Sequence, residues 1–303
     1  MAKSDDIDLA GLFALWWRAK WTIVITGVSA AAVAAVVTLM IADVFRTQTV
    51  LAPSSDISNA LPVSLAAQVS SIAGLALGTP TSDPVQVAIA TLQSRRFLVS
   101  FVRQHELVVP LIAGGGWDHE RRQWEINDRI YDVESHSWVR EATAWQPSQP
   151  TDEEIFEIMD ENLDVSLDRA TGLVTMTFKS RSPVAARDWA AMMIDDLNAE
   201  LRARAIEEAT SSIAFLNAEI GKTEIATMRE SLYRLVEDQM KKRVLAEVRK
   251  NYAVSLIDPP MLPEEKIFPI RWLICLGAAL LGGILAAIAL VVQDAIRRTS
   301  TSS

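Results

Sequence analysis

Residues 221–224 read GKTE, the tail of a phosphate-binding loop in which backbone N–H groups and a lysine cradle phosphate. The full pattern needs a glycine five positions before Gly221, and Leu216 stands there instead. The histidines are His105, His119 and His136, and no two of them have metal-ligand spacing. His119 and His136 share a tryptophan-rich stretch; they could meet in space or simply stand in a loop. The run DEEIFEIMDE (152–161) could hold a carboxylate pair of the glycosidase kind, but its spacing is that of a solvated helix face. No serine stands in a GxSxG elbow. The tryptophans Trp117, Trp124, Trp138 and Trp145 could stack on sugar rings or pack a hairpin. The residues therefore point to no catalytic, cofactor-binding or metal site, and the chain reads as a non-enzyme.

The elements around these residues explain more. Two runs, 22–42 and 272–292, carry no charge and are long enough to cross a hydrocarbon layer of roughly 30 Å. The first is expected to be a retained anchor rather than a cleaved signal, because its apolar part exceeds that of a signal peptide. Lys3, Arg18 and Lys20 precede it, and Arg297 and Arg298 follow the second run. Basic residues beside spans favour the cytoplasm, so both termini are expected there, as a segment 1–21 and a tail 293–303. Lys266 and Arg271 on the other side oppose this weakly. Trp16, Trp17, Trp21 and Trp272 fit the aromatic belt of a membrane interface. The part between the spans is then periplasmic or external.

That part, residues 43–271, has 24 basic and 34 acidic side chains, a net −10. Nucleic acid wants the opposite sign. The single cysteine, Cys275, lies in the second apolar run, so packing alone must stabilise the outer part.

Residues 43–182 read as a membrane-proximal α/β base. Thr47, Thr49 and Leu51 alternate in a strand ended by Pro53. Residues 54–82 are rich in Ser, Ala and Gly and read as loop with room for one short helix. One helix is expected to follow, with Pro84 in its first turn after a Ser82 or Asp83 cap. Residues 114–150 form a tryptophan-rich, irregular or hairpin insert. Thr151 and Glu154 open the next helix as a capping box. Val165 and Leu167, a turn at 170–172, and then Val174, Met176 and Phe178 predict a hairpin.

Residues 183–250 read as a helical arm. Trp189, Met193, Leu197 and Leu201 recur every four residues, and the pattern continues to Ile220. Gly221 can end this helix and Thr223 can cap a second. The second helix carries Ile225, Met228, Leu232, Leu235, Met240, Val244 and Val248 on one face. The two helices fold as an antiparallel hairpin or run on as one bent rod. Residues 251–271 are a strand and a link rich in proline. The fold class is a membrane protein with two transmembrane helices flanking an α+β periplasmic domain that carries a long extended helix.

In that order, DDIDLAGLFALWWRAKW, GLALG, TLQSRRFLVSFVRQHEL, RIYDVESHSWVR, TGLVTMTFKSRSP, RAIEEATSSIAFLNAEI and DPPMLPEEKIFPIRWLICLGAALLGG resemble the Wzz-type chain-length determinants, the polysaccharide co-polymerases. The resemblance implies a non-catalytic inner-membrane protein that sets the length of O-antigen or a related surface polysaccharide together with a membrane polymerase. It implies a ring of about eight like subunits, with lipid-linked glycan as a candidate ligand and no cofactor. By position, Pro259, Pro263, Pro269, Gly277, Gly282 and Gly283 match its proline- and glycine-rich second span and are the candidates for coupling to the polymerase. Ala279, Gly283 and Ala287 also give small-residue spacing suited to close helix contact. Some relatives carry a tyrosine kinase after that span; residues 293–303 hold no Walker A and no tyrosine cluster. A part in capsule or exopolysaccharide export is the alternative, and a periplasmic ligand sensor a third reading.

Overall fold

The computed structural model describes residues 20–54, 84–143 and 147–300. The expectations for the flank with Trp16 and Trp17, for the Ser/Ala/Gly-rich stretch, for the cap at Ser82 or Asp83 and for Trp145 lie outside these residues. In chain order the elements are α1 (Lys20–Met40), β1 (Val44–Pro53), α2 (Pro84–Leu92), α3 (Arg95–Gln104), α4 (Val108–Ile112), β2 (Gly114–Asp118), β3 (Gln123–Ile126), β4 (Tyr131–Asp132) and β5 (Ser137–Trp138). They continue with α5 (Asp152–Asn162), β6 (Leu163–Leu167), β7 (Val174–Ser180), α6 (Pro183–Lys222), α7 (Ala226–Val248), β8 (Val254–Asp258), β9 (Lys266–Phe268) and α8 (Arg271–Ser300). The chain divides into one unit of residues 1–44 and 266–303 and another of residues 45–265. Two apolar helices thus flank, in sequence, an α+β domain with a long helix.

In the first unit α1 packs against α8. Both are long and apolar enough to cross a bilayer, over Lys20–Met40 and Arg271–Val292. Close approach is built from small residues. A Cβ on Gly27 would lie 3.0 Å from the Ala279 carbonyl oxygen, and one on Gly282 would lie 2.7 Å from Ala30 Cβ. In lipid, such contacts are what holds helices together. Helix α8 runs past the expected span end, to Ser300.

The second unit is built on an antiparallel sheet in the order β6-β7-β1-β8. The period-2 pattern of β1 buries Phe45, Thr47, Thr49 and Leu51. The two threonines satisfy their hydroxyls by donating to the carbonyls of Met261 (2.9 Å) and Asp258 (2.6 Å). On β7, Val174, Met176 and Phe178 face the core. There they meet Trp189, Met193 and Leu197 of α6, Leu98, Phe101 and Val102 of α3, and Ile155 and Met159 of α5. Each such side chain taken from water stabilises by about 1.5–3 kcal/mol.

The hairpin turn forms as expected, and so does the Thr151 half of the capping box, while the Glu154 carboxylate turns to Arg140. Asp168 accepts from the Ala170 N–H (2.9 Å) and Gly172 takes a positive φ of 71°. Thr151 accepts from the Glu154 N–H (3.2 Å). The single helix expected from Pro84 is instead two. Ser94 breaks it, because its hydroxyl donates to the Thr91 carbonyl (2.7 Å) and accepts from the Phe97 N–H to start α3.

Helix α6 has 40 residues, about 60 Å at its rise per residue, and α7 folds back on it as an antiparallel pair. Asn198 locks the base of this hairpin. Buried at 4% exposure, it donates to the Ile194 (3.2 Å) and Val254 (3.1 Å) carbonyls and accepts from the Ala253 (2.9 Å) and Val254 (3.0 Å) N–H groups.

Three details of the arm differ from the periodicity. Gly221 lies inside α6 rather than ending it. Thr223 closes α6, donating to the Glu219 carbonyl (2.8 Å), and the cap of α7 is Ile225 without a side-chain bond. On α7 the side chains turned inward are Leu232, Val236 and Ala246. Most of the expected stripe is open: Ile225, Met228, Leu235, Met240, Val244 and Val248 are exposed, Val248 by 78%. Apolar count along a helix does not say which stripe the neighbouring helix covers.

Candidate functional site

The sequence offers little that could do chemistry, and the fold removes several options. GKTE has no loop to cradle a phosphate, since Gly221 and Lys222 are helical. The first three residues of the acidic run are committed to structure. Asp152 pairs with Arg103, Glu153 with Arg95, and Glu154 takes a two-pronged bond from Arg140 at 2.5 and 2.7 Å. The Glu154 carboxylate raises the Arg140 pKa, so this charge persists at every working pH.

The histidines do not meet. His119 lies edge-on to Phe45, ring centroids 5.7 Å apart. His136 Nδ1 is 3.4 Å from the Tyr131 hydroxyl. His105 Nε2 sits 2.8 Å from Asp196. Among the described residues no three metal-ligating side chains cluster.

The tryptophan-rich insert is two small hairpins. In the first, Trp117 on β2 and Trp124 on β3 are register partners, 5.9 Å apart and near perpendicular at 85°. Trp124 lies in turn 6.0 Å from Trp189, a buried residue of α6. Three consecutive glycines, Gly114–Gly116, are poor strand formers. They serve close approach: a Cβ on Gly114 would lie 2.2 Å from the Pro110 carbonyl oxygen and 2.8 Å from Trp124 Cε3. Arg181, just before α6, donates to the Gly114 carbonyl at 2.6 Å and ties the strand to the helix start. Asp118 holds the turn, accepting from the N–H groups of Glu120 (2.8 Å) and Arg121 (3.0 Å). These bonds, the one to Arg121 foremost, keep its carboxyl below the usual carboxylate range.

Between this hairpin and the first turns of α6 lies an open cleft of about 650 Å³. Trp117, Trp124 and Trp189 line it with Arg122, Gln123 and Asp188. Asp188 is held by Arg187 at 2.7 Å. Of the expected tryptophans among the described residues, Trp117 and Trp124 come together here. Trp138 belongs to the second hairpin, where it pairs with Tyr131 (5.0 Å, T-shaped) and carries Arg140 over its ring at 5.9 Å. Trp189 and Asp188 joined the site without any sequence signal; the helical period marked Trp189 as core and passed over Asp188.

The coupling candidates are spread along the second span and its approach. Pro259 is exposed, Pro263 half-buried and Pro269 buried after a cis bond from Phe268. Gly282 is occupied by α1, Gly283 is 3.7 Å from an Ile23 methyl by its virtual Cβ, and Gly277 faces open space. The expected Ala279 and Gly283 spacing is thus used, with Gly282, by the chain's own first helix. Lys266 and Arg271, whose positions opposed the expected orientation, both bind Asp43, at 2.9 and 3.1 Å.

Comparison with known proteins adds to this. No curated protein matches the chain. A solved full-length bacterial polysaccharide co-polymerase aligns over 97% of this chain and 99% of its own, at 16% identity and a TM-score of 0.40. The model of the Wzz family, the chain length determinant proteins, matches residues 5–105, the stretch over which this chain is similar to that family.

Proposed function

We propose that the protein is a non-catalytic polysaccharide co-polymerase of the inner membrane, acting with a membrane polymerase to set the length of O-antigen or a related surface polysaccharide. The observation that carries this reading is the family match over residues 5–105, a region that includes the first apolar helix and the first strand and helices of the α+β domain. Both termini are cytoplasmic and the domain between the spans periplasmic. The protein works as a ring of like subunits, and the open apolar stripe of α7 is the surface that a second copy covers. Pro259, Pro263 and Pro269 stiffen the approach to the second span. Gly277 leaves that helix a small face for a partner in the bilayer.

Deleting the gene tests the reading. Surface polysaccharide separated by length on a gel should lose its preferred mode and become a short, broad ladder. An unchanged ladder overturns the proposal. Complete loss of surface polymer would assign the protein to export instead.

A further inference from the structure

We infer that the cleft between the β2–β3 hairpin and the start of α6 is a glycan-binding site. It takes a short stretch of the same polymer whose length the protein governs. The inference rests on the proposed function for the ligand's identity; the site itself rests on the geometry.

A pyranose ring offers two kinds of surface, a face of C–H groups and a rim of hydroxyls. Indole faces suit the first, because the negative π surface attracts the polarised C–H edge. Carboxylate, amide and guanidinium groups suit the second, since together they accept from and donate to hydroxyls. The cleft has both. Trp117 and Trp124 are half-buried and stand at 85° to each other, so their indoles form an angled apolar wall. Arg122 and Gln123 border it on the hairpin side and Asp188 on the helix side. At about 650 Å³ the space lies within the range of small-ligand sites.

An ordinary packing cluster would look different. Trp189, which does serve the core, is 5% exposed, while Trp117 and Trp124 keep part of their surface open. The wall is also held in place before any ligand arrives. Trp124 is wedged between Gly114 and Trp189, the strand is tied by Arg181, and the turn is held by Asp118. Such preorganisation lowers the ordering cost of binding. One arginine and one aspartate in the cleft give no net charge, so the preferred units are neutral or weakly charged sugars rather than a polyanion.

The test uses full-length protein in detergent micelles. The probe is the source strain's own surface polysaccharide, stripped of lipid by mild acid and sized to a few repeats. Tryptophan emission and saturation-transfer NMR read binding. Wild-type protein should bind saturably, with the sugar signals that receive saturation belonging to C–H protons. Trp117→Ala and Gln123→Ala should each weaken binding about tenfold; Gln123 is exposed, so its variant separates recognition from folding. No saturable binding by the wild type, or both variants binding like it, overturns the inference. A deletion strain with an altered ladder and a protein without binding defeats the cleft alone. Binding with an unchanged ladder upholds the cleft and defeats the length-control reading.

Discussion

Asn198 is the residue on which the base of the helical hairpin depends. It satisfies both of its amide hydrogens' directions and both lone-pair sides of its oxygen in a site with no access to water. Replacing it with alanine strands the Ala253 and Val254 N–H groups, at a cost of about 3 kcal/mol. Thermal unfolding in detergent should show Tm lowered by roughly 6–12 °C for a unit of this size, and hydrogen exchange at Ala253 and Val254 should rise first. An alanine variant melting with the wild type would show that the clamp contributes nothing. Nothing in the local sequence distinguishes Asn198 from a polar residue on a solvated face. Its partners are more than fifty positions away, at Ala253 and Val254, and only the fold-back of α7 brings them close. The same holds for Asp188, which is ordinary on α6 until the β2–β3 hairpin lies across from it. The tryptophans were legible as a group, but composition could not sort them. Register made a pair of Trp117 and Trp124 and sent Trp138 to a different hairpin.

At the scale of elements, periodicity served well where one neighbour decides burial. The alternation in β1 and β7 and the four-residue step from Trp189 to Leu197 each match the buried face. It failed on α7, where two stripes compete. Small and short side chains, Ala246 among them, take the inner face because they let α6 come near. The more apolar stripe is left outside. A face with Met240 and Val244 each more than half exposed stays open on an isolated chain only at a cost in solubility. In the proposed ring, this stripe is the contact that a second copy covers. Native mass spectrometry should therefore show an oligomer for the wild type and smaller species for Met240→Glu with Val244→Glu, with the helical circular dichroism unchanged. A wild type that is monomeric, or a double variant that stays fully assembled, would remove α7 from the interface.

On the scale of the whole molecule, the division of labour follows from composition. The apolar excess is confined to α1 and α8, and the acidic excess to residues between them. The apolar runs, the long helix and the order of motifs were all readable directly, because each is a local or near-local pattern. The cleft was not, because it is assembled from a hairpin and a helix start. Asp152, Glu153 and Glu154 at the start of α5 are bound to arginines, and the described histidines have separate partners. On the proposed reading, the protein contributes a scaffold that biases when another enzyme stops. The most direct test is reconstitution of the partner polymerase in liposomes with lipid-linked repeat units, with and without this protein. The account predicts that adding it gathers the products around one preferred length while total incorporation of repeats stays the same. The same broad length distribution in both reactions would contradict it.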